Sequence, residues 1–454
     1  MHALISLSPE ELKESLVKGD VTVAVVGLGR IGLPTAVSFA EGGAKVIGID
    51  IDPVVVSEAE KGRSKFIDEP GLNELLSRMV ESGKLTVTTG VESVEKADMV
   101  IVAVPTPVNE EKVPDYSYIN AACTDISNHL KEGSLVVVES TVGPGYVERV
   151  IVPLLEKGSG LKAGKDFGVA SCPERANPGA ILRDMRSVPR IVGGIDSRSL
   201  EAAAAIYEKV FGVKVVRVSS PKAANAAKLM ENIFRDVNIA LANEFALLFE
   251  RLGIDTDEVI KACSTKYNFV PHFPGAGVGG PCLPSNSYYL ISESIRVGNI
   301  PYLVRMAREI NDRMPEHVVA LVMEAMNEAG KVVKGSRITI LGLSYKPNIR
   351  DLQLSPMEKV CAKLKDMGAG LKLFDPYYRG EMVFGNMVEA SLEKAVSGSD
   401  CILVGTAHRE IRSLDVKMLA RLSNMPAAIV DTSQAINPDE ARRAGLVYRG
   451  VGRV

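Results

Sequence analysis

Between residues 21 and 50 the chain runs as strand, glycine-rich turn, helix and second strand ending in an acid, and few folds accept that order. Val21-Thr22-Val23-Ala24-Val25-Val26 leads into Gly27-Leu28-Gly29-Arg30-Ile31-Gly32 and then a helix-compatible stretch from Leu33 to Glu41. Each glycine has its own task in a dinucleotide-binding turn. Gly27 permits the tight turn, Gly29 lets a pyrophosphate reach the backbone, and Gly32 lets the helix pack on the strand, while the helix start offers amide donors. Val46-Ile47-Gly48-Ile49 then ends at Asp50. A carboxylate there binds an adenosine ribose diol and repels a 2′-phosphate, so the pattern predicts NAD rather than NADP. Gly27, Leu28, Gly29, Ile31, Gly32 and Asp50 are the predicted cofactor contacts; the alternative is an ordinary glycine-rich turn. Val21 to Ala40 is apolar enough to imitate a membrane span, but Arg30 sits mid-stretch among Gly27, Gly29, Gly32 and Pro34.

The rest of the chain extends that beginning. Ser8-Pro9-Glu10-Glu11 carries an N-cap, a first-turn proline and a capping-box Glu, which predicts a short helix before the first strand. Apolar runs at 21–26, 46–50, 99–104, 135–139 and 167–171 alternate with helix-like segments, the pattern of a doubly wound domain with a parallel sheet. From Pro221 to Leu252 Ala, Leu, Glu and Lys dominate with no internal Gly or Pro, so one helix of roughly 45 Å is expected. Strand-like runs return at 337–342, 371–374, 401–404 and 427–430, implying a second, smaller α/β domain. The expected fold class is α/β: two doubly wound Rossmann-like domains joined by a central helical domain with one long helix. The expected boundaries are 1–215, 216–330 and 331–454.

With 454 residues, 46% of them hydrophobic, the chain can bury more than one core. A net charge of −3 without long runs of one sign gives no reason to expect nucleic acid or an anionic membrane as partner. The six cysteines lie far apart with no C-x-x-C pair, and the five histidines lack metal-ligand spacing. A reducing cytoplasm and no bound metal follow as expectations.

Two features carry chemistry. Gly275-Ala276-Gly277-Val278-Gly279-Gly280-Pro281-Cys282 delivers one thiol on a glycine-rich loop to the start of a helix expected from Ser285 to about Val297. Glycine allows close approach of backbone to a ligand, and the helix dipole favours thiolate, so Cys282 reads either as a nucleophile or as a buried structural cysteine beside a turn. On the long helix, Asn225, Lys228, Asn232 and Arg235 share one face at steps of three, four and three. Lys228 and Asn232 could steady an oxyanion; taken alone, the stripe favours a solvated face with a Glu231–Arg235 ion pair.

Together these segments resemble the UDP-glucose/GDP-mannose dehydrogenase family, from about Val21 to Arg453. The matching motifs are Gly27 to Leu33, Val104-Pro105-Thr106-Pro107, Glu139-Ser140-Thr141-Val142, Cys172-Pro173-Glu174-Arg175, Lys228 to Asn232, Gly279-Gly280-Pro281-Cys282 and Leu343-Ser344-Tyr345-Lys346-Pro347. The resemblance implies a nucleotide-sugar 6-dehydrogenase that uses two NAD per C6 alcohol and dimerises on its central helix. By the same resemblance Cys282 forms a thiohemiacetal and then a thioester. Lys228 and Asn232 hold oxyanions, Glu174 and Thr141 position water and relay protons, and Lys346 contacts the nucleotide phosphates. Thr106 and Thr141 join the cofactor contacts; Glu174, Arg175, Lys228, Asn232, Arg235, Gly277, Gly279 and Lys346 form the substrate set.

Three positions depart from the family pattern. Asn286 stands where an aspartate is usual, Gln353 replaces the arginine of the Asp351 motif, and Ser433 replaces an arginine after Asp431-Thr432. Asn286 cannot act as a base, so thioester hydrolysis must lean on Glu174 and Lys228; Arg350 is the candidate to compensate for the lost arginines. The stretches 172–179 and 234–240 resemble the UDP-N-acetylhexosamine branch more than the UDP-glucose branch, favouring a UDP-N-acetylmannosamine-like substrate, with UDP-N-acetylglucosamine, UDP-N-acetylgalactosamine and UDP-glucose as the open alternatives. The rival readings are a two-electron hydroxyacid dehydrogenase and a non-catalytic nucleotide-sugar-binding protein.

Overall fold

Alternating apolar residues drive the fold of the first unit, because successive residues of a strand face opposite sides of its sheet. Val23 and Val25 of β1 (Thr22–Val26) enter one core with Ile101 and Val137, while Ala24 and Val26 enter a second with Val100, Val102 and Val136. A sheet buried on both faces needs helices on both faces. The computed structural model describes residues 4–453. In it β1 joins β2 (Lys45–Ile49), β3 (Leu85–Thr88), β4 (Met99–Val102), β5 (Leu135–Val138), β6 (Gly168–Ser171), β7 (Arg190–Gly194) and β8 (Val215–Val218). The order is β3-β2-β1-β4-β5-β6-β7-β8.

The expected parallel sheet needs one correction: β6 and β7 run antiparallel, with Ala170 opposite Gly194. The segment between them holds only the short helix Ile181–Met185, and an antiparallel pair needs no long crossover helix. The predicted first helix spans Pro9–Lys18 and carries the expected capping box, Ser8 accepting from the Glu11 amide and Glu11 reaching back.

The second unit repeats the scheme. β9 (Arg337–Leu341), β10 (Gly370–Phe374), β13 (Cys401–Val404), β14 (Ala428–Asp431) and β15 (Val447–Gly450) form a parallel sheet in the order β10-β9-β13-β14-β15. A two-stranded hairpin, β11 (Met382–Val383) and β12 (Asn386–Met387), stands outside it. The helix Tyr302–Glu328 packs Val318, Val322 and Ala325 into the core with Ile338, Leu403 and Val430. The long helix has the expected bounds, Pro221–Leu252. Compactness divides the chain within this helix: one unit reaches Glu231 and takes in Tyr288–Asn299, and the other comprises Asn232–Ser287 and resumes at Ile300. Among the described residues no helix is long and apolar enough to cross a membrane.

Candidate active site

The turn after β1 shows why its glycines are glycines. Gly27 has φ +92°, and a Cβ there would lie 2.6 Å from the Ala103 carbonyl oxygen. A Cβ on Gly32 would lie 1.8 Å from the Gly27 oxygen, whereas one on Gly29 would meet nothing within 4 Å. The outer two glycines are therefore demanded by the fold, and the middle one leaves open space where a pyrophosphate must approach backbone. That is a fit for NAD.

Asp50 closes the same turn. Its Oδ2 accepts from the Leu28 amide at 2.7 Å and its Oδ1 from the Asp52 amide at 2.9 Å. An ionised carboxylate has about four acceptor sites, so capacity for a ribose diol remains. Thr106 and Thr141 lie beyond the carboxyl ends of β4 and β5, where the Thr106 hydroxyl donates to the Thr141 carbonyl at 2.8 Å. Since β1 has β2 on one side and β4 on the other, these residues sit at the switch point of the sheet, where open α/β sheets bind ligands.

Glu174 is buried just beyond β6. Its carboxylate pairs with Arg190 of β7 and accepts the Arg175 and Ala176 amides, both at 2.6 Å. Arg190, 1% exposed, lies 4.2 Å over the Phe211 ring. Glu139 completes the cluster, accepting from the Tyr207 hydroxyl at 2.7 Å and the Thr35 hydroxyl at 3.0 Å. Burial pushes the Glu139 carboxyl up to about 7; Arg190 opposes that shift and Glu174 adds to it.

The polar stripe is not the expected solvated face. Asn225 is fully buried and donates to the Ser171 hydroxyl at 3.1 Å, and Lys228 is 8% exposed. Among the described residues the Lys228 ammonium has no hydrogen bond or ion pair within the protein, and its nitrogen is not sealed from solvent. Arg235 is exposed. The expected Glu231–Arg235 pair is absent because Glu231 binds Arg175 instead, with Nε donating at 3.0 Å. Arg175 is thus held by Glu231 and by the Pro189 carbonyl.

In the second unit, Cys282 is exposed and immediately precedes the helix Leu283–Arg296, two residues earlier than its expected start. The Asn286 amide donates to the Cys282 carbonyl at 2.9 Å, and the Asn286 side-chain oxygen accepts from Asn232 Nδ2 at 2.6 Å. A Cβ added at the glycines before the cysteine would meet protein. A Cβ on Gly279 would lie 2.6 Å from the Leu354 oxygen, and one on Gly280, at φ +86°, 2.6 Å from the Tyr345 ring. Gly277 is crowded by the Asn311 carbonyl at 2.8 Å. The cysteine loop therefore packs on the loop that carries Tyr345 and Lys346, and the Gly280 amide donates to the Gln353 carbonyl at 2.9 Å.

The turn after β9 repeats the one after β1, with Gly342 at φ +84° and Asp375 Oδ2 accepting from the Leu343 amide at 2.7 Å. Yet Asp375 is fully buried, and it also accepts from His408 and from the Ser344 and Tyr377 amides. Its acceptor capacity is spent inside the protein, so this second turn offers no carboxylate to a ribose diol.

Comparison with known proteins decides what this pair of unequal turns belongs to. Sequence models of the UDP-glucose/GDP-mannose dehydrogenase family match in three consecutive segments: the NAD binding domain at 21–211, the central domain at 222–313 and the UDP binding domain at 339–438. The chain belongs to this family. It is an NAD-dependent nucleotide-sugar dehydrogenase, an oxidoreductase. A UDP-N-acetyl-D-mannosamine dehydrogenase of Pyrococcus horikoshii is 37% identical over 431 residues, covering 95% of this chain and 99% of its own. A UDP-N-acetyl-D-glucosamine 6-dehydrogenase of Pseudomonas aeruginosa is 33% identical over 93% of this chain and 99% of its own. A solved UDP-D-ManNAc dehydrogenase from P. horikoshii matches with a TM-score of 0.89 at 36% identity, covering 95% of this chain and 99% of that one.

Within this dehydrogenase the three departures are absorbed by local bonds. Asn286 receives the Asn232 amide, Gln353 donates from its backbone to Asp351 at 3.0 Å, and Ser433 donates to Asp431 at 2.9 Å. Arg350 donates from Nη2 to both Glu381 carboxylate oxygens at 2.7 Å and from Nε to the Tyr377 carbonyl at 3.1 Å. Sequence reasoning missed a buried group that supports the cysteine loop. Asp236 accepts from Arg308 at 2.7 Å, Asn311 at 2.9 Å and the Ser287 hydroxyl at 2.8 Å, while Asn243 bridges Asn311 and the Gly275 amide, both at 2.9 Å. The available signal was Asp236 and Asn243 seven residues apart, two turns along an otherwise apolar helix face.

Proposed function

We propose that this dehydrogenase oxidises the C6 hydroxyl of a UDP-N-acetylhexosamine, UDP-N-acetylmannosamine foremost, to the uronate through a covalent adduct on Cys282. The relatives named above support that substrate class, and UDP-glucose is the alternative within the family. The observation that carries the reading is the Asn232–Asn286 hydrogen bond, which joins the helix opened by the exposed thiol to the helix that bears Lys228 one turn before Asn232.

Bound NAD supplies the hydride acceptor for both oxidations. Removing a hydride and a proton from the C6 alcohol leaves an aldehyde; the Cys282 sulfur adds to its carbon, forming a C–S bond and an oxyanion. Lys228 and Asn232 stabilise that oxygen as donors fixed before charge develops. Loss of a second hydride gives the thioester, and water breaks the C–S bond to release the acid and restore the thiol. Glu174, held in place by Arg190 and two amides, and Thr141 orient that water, while Asn286 positions without serving as a base. Lys346 meets the nucleotide phosphates, and Asp50 the NAD ribose. Arg235, Gly277 and Gly279 complete the substrate side.

Six cysteines without a disulfide fit a reducing compartment, and we place the protein in the cytoplasm. A homodimer fits the exposed row Leu241, Phe245, Leu248 and Leu252, whose steps of four, three and four make one apolar stripe along the long helix, suited to a second copy of itself.

Counting NADH per sugar over a panel of UDP-sugars tests the function. Two NADH from UDP-N-acetylmannosamine are expected, and Cys282→Ser should stop short of the acid. One NADH per sugar, or two from the serine variant at the unaltered rate, would overturn it.

A further inference from the structure

The loop Tyr345-Lys346-Pro347-Asn348 has little regular structure of its own, so something must fix where Lys346 stands. Its last residue, Asn348, has φ +62°, in the left-handed region that Asn enters more readily than other residues with a Cβ. Two residues about sixty positions later, His408 and Arg409, hold it there. His408 follows β13 and is 1% exposed; its Nδ1 lies 2.9 Å from the Asn348 backbone nitrogen. A backbone N–H only donates, so Nδ1 is the acceptor and the ring carries its proton on Nε2. That Nε2 lies 3.0 Å from Asp375 Oδ2, the oxygen that also holds the Leu343 amide at the opening of the same loop. The Asn348 side chain returns the contact by accepting from the Arg409 amide at 2.8 Å. One histidine thus ties both ends of the loop to one buried carboxylate, while Tyr377 packs on its ring at 5.1 Å.

We infer that His408 is a positioning residue for the nucleotide half of the substrate: through Asn348 and Asp375 it fixes the loop that presents Lys346. This rests on the reading that Lys346 meets the nucleotide phosphates. The carboxylate that serves a ribose diol in the first turn is, in the second, turned inward to orient a histidine. The second turn accordingly recognises its nucleotide by a positioned loop.

The test uses the full chain with UDP as probe, followed by titration calorimetry, and NAD binding as the control for folding. His408→Leu removes the Nδ1 acceptor and should weaken UDP binding roughly tenfold, the scale of one lost buried hydrogen bond. It should raise KM for the UDP-sugar in parallel, with kcat at saturation and NAD affinity little changed. His408→Asn, whose Oδ1 stands near the place of Nδ1, should recover most of the loss. Should the leucine variant also lose NAD binding, His408→Ala carries the same comparison with a smaller side chain. UDP affinity unchanged in a folded His408→Leu, or no recovery in His408→Asn, overturns the inference while leaving the function intact. Unchanged UDP affinity in Lys346→Met overturns both, because the nucleotide is then read elsewhere.

Discussion

Glu139 contributes a pH response to the first unit. Its ordinary value is 4.5 and burial raises it to about 7 in the folded protein, against the pull of Arg190. Below pH 4.5 both folded and unfolded chains hold the proton, and the group costs nothing. As pH rises from 4.5 to 7 the unfolded chain releases its proton first, so the unfolded state gains and the protein loses stability, on the order of 3 kcal/mol in all. Glu139→Gln keeps the shape and an acceptor for Tyr207 or Thr35 without the titration. The difference in thermal midpoint between Glu139→Gln and the parent should therefore grow in favour of the variant from pH 5 to pH 8. A difference that is flat across that range would mean that Glu139 is charged throughout. The same cluster marks a limit of reading residues alone: Glu174 was legible as a candidate site carboxylate from its motif. Its partner Arg190 was not, because the pairing depends on β7 entering beside β6 in the antiparallel sense.

At the scale of elements, legibility followed the range of the interactions. The first glycine turn, the capped first helix and the bounds of the long helix were legible because local backbone chemistry decides them. The glycines before Cys282 were legible as glycines but not in their purpose, since the atoms that exclude a Cβ belong to Tyr345 and Leu354, more than sixty residues onward. That packing makes a prediction about Gly280. Alanine there is strained at φ +86° and overlaps the Tyr345 ring, so the cysteine loop and the Lys346 loop must separate. Gly280→Ala should cost about 1–3 kcal/mol of stability. It should also lower kcat and raise KM for the UDP-sugar together, while NAD affinity, which belongs to the first unit, stays as it was. Steady-state kinetics beside NAD titration measures this, and an effect on kcat alone would show that the two loops move independently.

At the scale of the whole molecule, the long helix shows apolar residues on a side where a monomer would keep polar ones. Leu241, Phe245, Leu248 and Leu252 are 46–60% exposed, and their spacing repeats the seam of a two-helix interface. Exposed apolar area of this kind is disfavoured in a soluble monomer and is removed from water when two copies pack it together. A two-fold arrangement needs only a surface complementary to itself, and a stripe along one helix meets that condition with its copy antiparallel. Charge placed in the middle of the stripe tests it without touching the sites, because Phe245 and Leu248 contribute to neither the NAD turn nor the cysteine loop. Phe245→Glu combined with Leu248→Glu buries two unpaired carboxylates per chain in a dimer, a cost of several kcal/mol, whereas in a monomer both stay in water. The parent should elute at twice the chain mass in light scattering at micromolar concentration, and the double variant at the mass of one chain with its NAD affinity preserved. A parent that is monomeric, or a double variant that remains dimeric, would move the interface away from this helix.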